Sequence, residues 1–133
     1  MTNTRAKTMN GKSIMPSLTV DDIRESMAFF TGLGFEVEER WEEDGRLLGL
    51  MLKAGNTRLG LSQEDGKKGT NRLKGVGMRL YIEADDNIDE VAARAKAAGV
   101  ALVSEPQDTD WGSRAFDVKE PSGFLITISS PVK

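Results

Sequence analysis

Leu18-Thr19-Val20-Asp21-Asp22 returns in altered form as Ile82-Glu83-Ala84-Asp85-Asp86, 64 residues further on. Gly34-Phe35-Glu36-Val37 has a partner in Gly99-Val100-Ala101-Leu102, at an offset of 65. Asp44-Gly45-Arg46 and Lys53-Ala54-Gly55 are echoed by Gly112-Ser113-Arg114 and Lys119-Glu120-Pro121-Ser122-Gly123, the offset drifting to 66–68. A self-match of nearly constant period over half a chain means one unit used twice. Two equivalent units side by side are expected to frame a cleft, and clefts are where ligands collect.

Each copy reads in the same order. In the first, Ile14–Val20 alternates as a strand, with Leu18 and Val20 on one face and Met15, Ser17 and Thr19 on the other. Asp22 with Glu25 three residues on resembles a capping box, and Ile23, Met27 and Phe30 form a helical apolar stripe that Gly32–Gly34 ends. Strands are expected over Phe35–Trp41, Leu47–Lys53 and Arg58–Leu61, separated by Asp44-Gly45 and Gly55-Asn56 turns. The second copy gives strand Gly77–Ala84, a helix with stripe Ile88, Val91, Ala92, Ala95 and Ala98, then strands Val100–Ser104, Ser113–Lys119 and Phe124–Ser129. The unit is βαβββ, twice. Its helix covers one face of a small antiparallel sheet and leaves the other face free to line something. Ile23, Met27, Phe30, Val91, Ala92 and Ala95 are assigned to core, and Met51 reads as core filler.

Bulk composition bounds the function. The chain has 133 residues, 38% apolar and 29% charged, with 18 basic against 21 acidic side chains and a net charge of −3. No basic stripe of the kind nucleic acid requires is present, and no apolar run approaches the roughly 20 residues that span a bilayer. Arg5, Lys7 and Lys12 precede no apolar stretch, so the start does not read as a secretory signal. There is no cysteine and no histidine. Disulfides, thiol chemistry, imidazole metal ligands and serine–histidine nucleophile systems are therefore all excluded. The absence of cysteine suits a cytoplasmic setting.

The ordered set of motifs resembles the vicinal-oxygen-chelate superfamily. That superfamily contains glyoxalase I, bleomycin-resistance proteins, fosfomycin-resistance enzymes and extradiol dioxygenases. The set comprises Val20-Asp21-Asp22, Ala84-Asp85-Asp86, Leu33-Gly34-Phe35, Ala97-Ala98-Gly99-Val100, Trp111-Gly112-Ser113-Arg114-Ala115-Phe116 and Glu120-Pro121-Ser122-Gly123. Pro16-Ser17-Leu18-Thr19-Val20 and the Trp-Gly pair lean toward the bleomycin-resistance and glyoxalase-like branch. Glu120-Pro121-Ser122-Gly123 departs from the family's usual Asp-Pro-Asp-Gly, a change a turn tolerates. The resemblance implies an α+β fold of two tandem βαβββ modules with an open cleft. A flexible arm would span residues 1–13 and a single domain residues 14–129, divided into module one (14–62), linker (63–75) and module two (76–129). It also implies a homodimer.

Superfamily enzymes hold a divalent metal with His, Glu or Gln side chains from strands lining the cleft. The corresponding positions here are Met15, Gly60 or Ser62, Arg79 and Thr127. None is a good donor for Fe, Mn, Ni or Zn, and a guanidinium repels a cation. An all-carboxylate site from Glu42, Glu43, Glu64 or Asp65 stays open on composition, although these lie in charged turns. No metal and no other cofactor is therefore expected.

The candidate ligand-binding residues are Arg79, Tyr81, Trp111 and Thr127. Arg79 alternates with Leu80 and Ile82, so it belongs to the face opposite the core, where it would favour an anionic or carbonyl-bearing ligand. Its bland alternative is an ion pair with Glu83 or Asp117. Tyr81 shares that face as a ligand contact or a packed floor residue; Trp111 is a ligand aromatic or a sheet-edge cap. Trp41, closing a charged strand, is a shield for the cleft or, as the favoured alternative, a dimer contact or solvent edge. The reading that follows is metal-independent binding of a small organic molecule, sequestering a toxic or antibiotic compound as bleomycin-resistance proteins do. Its rivals are a metal-dependent glyoxalase-like lyase or dioxygenase with relocated ligands, and a regulatory or interaction module without ligand.

Overall fold

Asp22 starts the first helix by accepting hydrogen bonds at Oδ1 from the backbone N–H of Arg24 (3.1 Å) and Glu25 (3.3 Å). This is half of the expected capping box; the helix N-terminus needs acceptors for its free N–H groups, and the Asp supplies one. Gln63 supplies another, accepting from Ile23 N–H at 2.9 Å while its amide donates to Asp21 O at 2.7 Å. The chain leaves the helix at Gly34, whose φ of 115° is left-handed. Gly32 lies inside the helix, not at its end: a Cβ there would come within 2.8 Å of Val100 Cγ2.

The computed structural model describes residues 7–69 and 72–133. The elements are β1 (Ser17–Val20), α1 (Ile23–Leu33), β2 (Glu36–Glu43), β3 (Arg46–Ala54) and β4 (Thr57–Gln63), then β5 (Arg79–Glu83), α2 (Ile88–Ala97), β6 (Leu102–Asp108), β7 (Arg114–Lys119) and β8 (Leu125–Ser129). Two four-stranded sheets result, ordered β1-β4-β3-β2 and β5-β8-β7-β6. In each, the strand before the helix runs parallel to the last strand and the other pairings are antiparallel. The twice-used βαβββ unit is thus present. Of the expected arm, residues 1–6 lie outside the described residues, and residues 7–13 are exposed and form neither helix nor strand.

Element ends differ from the expectation where a local group is otherwise engaged. β1 begins only after Pro16, which has no N–H to give a ladder. β6 begins at Leu102 because Val100 N–H closes the end of α2 on Ala95 O at 2.9 Å. It then runs through Pro106 to Asp108, past an irregularity in register between Ser104 and Gln107.

A single apolar core joins the modules. Phe30, Leu50, Leu52 and Leu59 from the first share it with Val91, Ala95, Phe116 and Ile126 from the second. Phe30 packs edge-on against Phe29 and Phe35, at ring centroid distances of 5.1 and 5.5 Å. The predicted stripes are buried except for Met27, which is half-buried at the margin, and Ala98, which caps the end of α2 and is exposed. The modules meet through α1 and α2. Each sheet therefore gives its helix-side face to the core and leaves its other face exposed. Met51 is a correction: register sets it opposite Gly60 and Glu39 on the open face of the first sheet, half-buried and outside the core.

Candidate functional site

Alternation decides what the open face of the second sheet displays. Phe116, Val118, Ile126 and Ile128 point into the core, so their neighbours Ala115, Asp117, Lys119, Leu125, Thr127 and Ser129 belong to the opposite face. Arg79, Tyr81 and Glu83 of β5 join them, because Leu80 and Ile82 pack against the core. Strand register arranges these residues in rows across the sheet: Arg79–Leu125–Lys119, then Tyr81–Thr127–Asp117, then Glu83–Ser129–Ala115.

Three of these side chains form one hydrogen-bonded unit. Arg79 Nη1 donates to Thr127 Oγ1 at 2.8 Å and to Asp117 Oδ1 at 3.3 Å, and Thr127 Oγ1–H donates to the same Asp117 oxygen at 2.6 Å. Thr127 is only 5% exposed although it lies on the open face. Asp117 is held in turn through its backbone N–H, which donates to Ser104 Oγ at 3.2 Å. The result is a guanidinium fixed in place by two partners. Tyr81, opposite Thr127 on β5, is 70% exposed.

The structure therefore brings Arg79, Tyr81 and Thr127 together and separates Trp111 from them. Trp111 precedes β7, where Lys133 N–H donates to Gly112 O at 3.1 Å and Arg114 N–H donates to Ser130 Oγ at 2.9 Å. Arg79 is level with Leu125, at the other end of β8. At about 3.3 Å per residue, Trp111 and Arg79 lie more than about 15 Å apart along the strands. Arg114, from the same motif as Trp111, is a structural residue: it grips Asp89 of α2 through Nε at 2.8 Å and Nη2 at 2.9 Å.

The four positions implied for a metal fall on two different sheets. Met15 precedes β1 and Gly60 and Ser62 lie on β4, whereas Arg79 and Thr127 lie on β5 and β8. Their donors are a thioether, a hydroxyl or glycine, a second hydroxyl, and a guanidinium spent on Thr127 and Asp117. This set does not fit a divalent metal. Among the described residues, no group of three or more Asp, Glu, His or Cys is placed to hold one. The carboxylates of the linker are engaged elsewhere. Glu64 Oε1 takes Arg72 at 2.8 Å and the buried Lys74 at 3.1 Å, and Lys74 and the other donors pull its carboxyl down to about 2.

Lys119, missed as a site residue, was legible in the alternation of Phe116 and Val118. Glu120 was legible only as a turn residue. It is 1% exposed and accepts a hydrogen bond from Ser26 Oγ on α1 and another from Ser122 N–H at 2.6 Å. Burial without a cation partner pushes its carboxyl above the ordinary value.

On the first sheet the open face carries mostly small side chains. Ser17, Gly60 and Met51 form one row, and Thr19, Ser62, Gly49 and Trp41 the next. The Trp41 indole lies over Gly49, where an added Cβ would be 3.1 Å from Cε3. Neither open face is a closed pocket. Two hollows border the second sheet at its ends: about 830 Å³ between Arg72–Val76 and the β7–β8 turn, with Lys119 among its lining, and about 720 Å³ between the end of α1 and residues 82–86.

Known structures share this architecture at low sequence identity. TioX from Micromonospora sp. ML1 superposes with a TM-score of 0.72 at 21% identity, covering 90% of this chain and 98% of that one. A glyoxalase-related enzyme from Fulvimarina pelagi gives 0.71 at 16% identity, covering 90% and 88%. A glyoxalase/bleomycin resistance protein/dioxygenase from Nocardioides gives 0.67 at 19% identity, covering 95% and 87%. Comparison with curated proteins finds no match. No helix among the described residues is long and apolar enough to cross a membrane. The family model of the Glyoxalase/Bleomycin resistance protein/Dioxygenase superfamily matches residues 12–128. With the match running from before β1 almost to the end of β8, and two βαβββ units observed within it, the chain belongs to that superfamily.

Proposed function

We propose that this protein binds a small organic molecule without a metal, on the open sheet face that carries Arg79, Tyr81 and Thr127. One observation carries the reading. At the positions where the superfamily's enzymes hold their ion, this chain has a guanidinium bonded to Thr127 and Asp117. A fixed cation with hydroxyl and carboxylate neighbours orients a polar group of a ligand, and the adjacent phenol of Tyr81 offers a ring to stack on. Sequestration of a toxic or antibiotic compound is the role this chemistry suits. Binding of this kind needs no proton transfer and no nucleophile.

A second copy completes the site in this reading. The face is shallow, Trp41 and Tyr81 are exposed at 49% and 70%, and β1 and β5 each have only one strand neighbour. Exposed aromatic side chains and sheet edges are surfaces that association covers.

The test combines metal analysis with ligand screening. Purified, tag-free protein should hold well below one metal per chain, and chelator should leave its melting temperature unchanged. A panel of planar organic compounds should contain members that raise the melting temperature; a ligand at 100 times its Kd adds about 2.7 kcal/mol. A stoichiometric metal that survives dialysis would overturn the reading in favour of a metal-dependent enzyme.

A further inference from the structure

We infer that the open face of the second sheet takes a ligand bearing a carboxylate or similar planar oxyanion, seated over Leu125 between Arg79 and Lys119. The inference rests on the binding role proposed for that face and adds the chemistry of what it recognises.

A guanidinium carries five N–H groups. Arg79 spends Nη1 on Thr127 and Asp117. Its Nε and Nη2 have no hydrogen-bond partner among the described residues. These two nitrogens form the side edge of the fork, the geometry that matches the two oxygens of a carboxylate. Among the described residues, two other arginines use that same edge to hold both oxygens of a carboxylate. Arg58 holds Glu38 through Nε at 2.8 Å and Nη2 at 3.0 Å. Arg114 holds Asp89 through Nε at 2.8 Å and Nη2 at 2.9 Å. At Arg79, whose side chain is 35% exposed, the bonds to Nη1 hold the group and leave that edge without a partner among the described residues.

The surrounding charge agrees. Arg79 and Lys119 flank Leu125 in one row, and Lys119 has no ion-pair partner among the described residues. Asp117 offsets one of these two charges, leaving that end of the face net positive. Glu83, the nearest acidic residue on β5, is two rows away, about 13 Å at ordinary strand rise. Leu125 gives an apolar floor for the part of the ligand attached to the anion, and Tyr81 stands beside it. The preference expected is therefore for an aromatic or otherwise apolar carboxylate over its neutral amide.

The probes are 2-naphthoate and 2-naphthamide, which share a ring system and differ in charge. Each is titrated at constant ionic strength into the full-length protein while backbone amide resonances of β5, β7 and β8 are followed. Naphthoate should bind roughly tenfold or more tightly than naphthamide. R79Q should bring the two within about threefold of each other, and R79K, which keeps the charge and loses the fork, should fall between. K119Q should narrow the ratio by a smaller factor. Dispersed spectra of each variant confirm that it folds. If both probes bind equally well to wild type and R79Q, the anion inference is overturned and small-molecule binding on this face stands. If neither probe shifts these resonances, the face is not a binding surface, and both readings fall.

Discussion

Ser26 of α1 donates its hydroxyl hydrogen to Glu120 of the β7–β8 turn, so a helix of the first module is tied to a hairpin of the second. Both residues are almost fully buried, at 0% and 1% exposure. Asp21 N–H adds a bond to Ser122 Oγ of the same turn at 2.8 Å. The turn that carries a family signature is thus also the clamp between the two copies of the unit.

Ser26→Ala should destabilise the protein by about 1–3 kcal/mol, the cost of leaving a buried carboxyl oxygen without its donor. Urea unfolding at neutral pH measures it. A change below a few tenths of a kcal/mol would show that the Glu120 oxygen finds another donor.

The pH response of the same pair has a definite sign. The folded-state pKa of Glu120 is raised by burial. Its stabilising contribution is therefore complete below the unfolded carboxyl value near 4.5 and is lost as pH rises through the raised folded value. Gln at this position stays neutral and can keep both bonds with Ser26 turned to accept. Glu120→Gln should gain stability relative to wild type between pH 4.5 and neutrality. Parallel unfolding curves over that range would refute the assignment.

Glu64 behaves in the opposite sense. Its carboxyl is lowered to about 2 by Lys74, the Gly66 N–H and Arg72. Its contribution is present above the unfolded value near 4.5 and disappears as pH falls toward 2. Glu64→Gln should flatten the acid limb of stability in that window. Proteolysis within the linker should rise as wild type is acidified, and an acid limb unaltered in the variant would count against this account.

Gly123→Ala should cost more than Gly99→Ala. Both have positive φ, 118° and 93°, but a Cβ at Gly123 would come within 2.8 Å of Lys74 O, whereas nothing lies within 4 Å at Gly99. The left-handed backbone alone costs roughly 1–2 kcal/mol. Contact with the linker backbone at Gly123 adds about 1–3 kcal/mol. Thermal unfolding of the two variants side by side decides it; equal losses would mean that the linker yields.

Removal of residues 1–13 should leave folding and self-association intact. Residues 7–13 are exposed, and Gly60 N–H donates to Pro16 O at 2.9 Å, so strand pairing begins after the arm. Sedimentation should show a dimer at micromolar concentration for the full chain and for the truncated one alike. A clean monomer for the full chain would remove the second copy from the proposed site.

Much of this molecule is legible in local pattern. The period-two alternation of Leu18 and Val20, the stripe of Ile23 and Phe30, and the glycines closing each helix depend on a few neighbouring residues. These patterns recur twice, and with them came the βαβββ unit, the core residues and the face to which Arg79 and Tyr81 belong. The absence of histidine and cysteine also constrained the chemistry directly, because no folding can supply an absent donor. Tertiary structure alone decided what depends on register between distant strands. Asp117, not Glu83, partners Arg79, because β7 and β5 both flank β8 and bring their side chains to Thr127. Trp111 is carried to the far end of the sheet by the antiparallel run of β7. Ser26 and Glu120 meet across 94 residues because the two modules pack through their helices. Pattern within a strand tells which face a side chain takes; only the pairing of strands and modules tells which side chains share it.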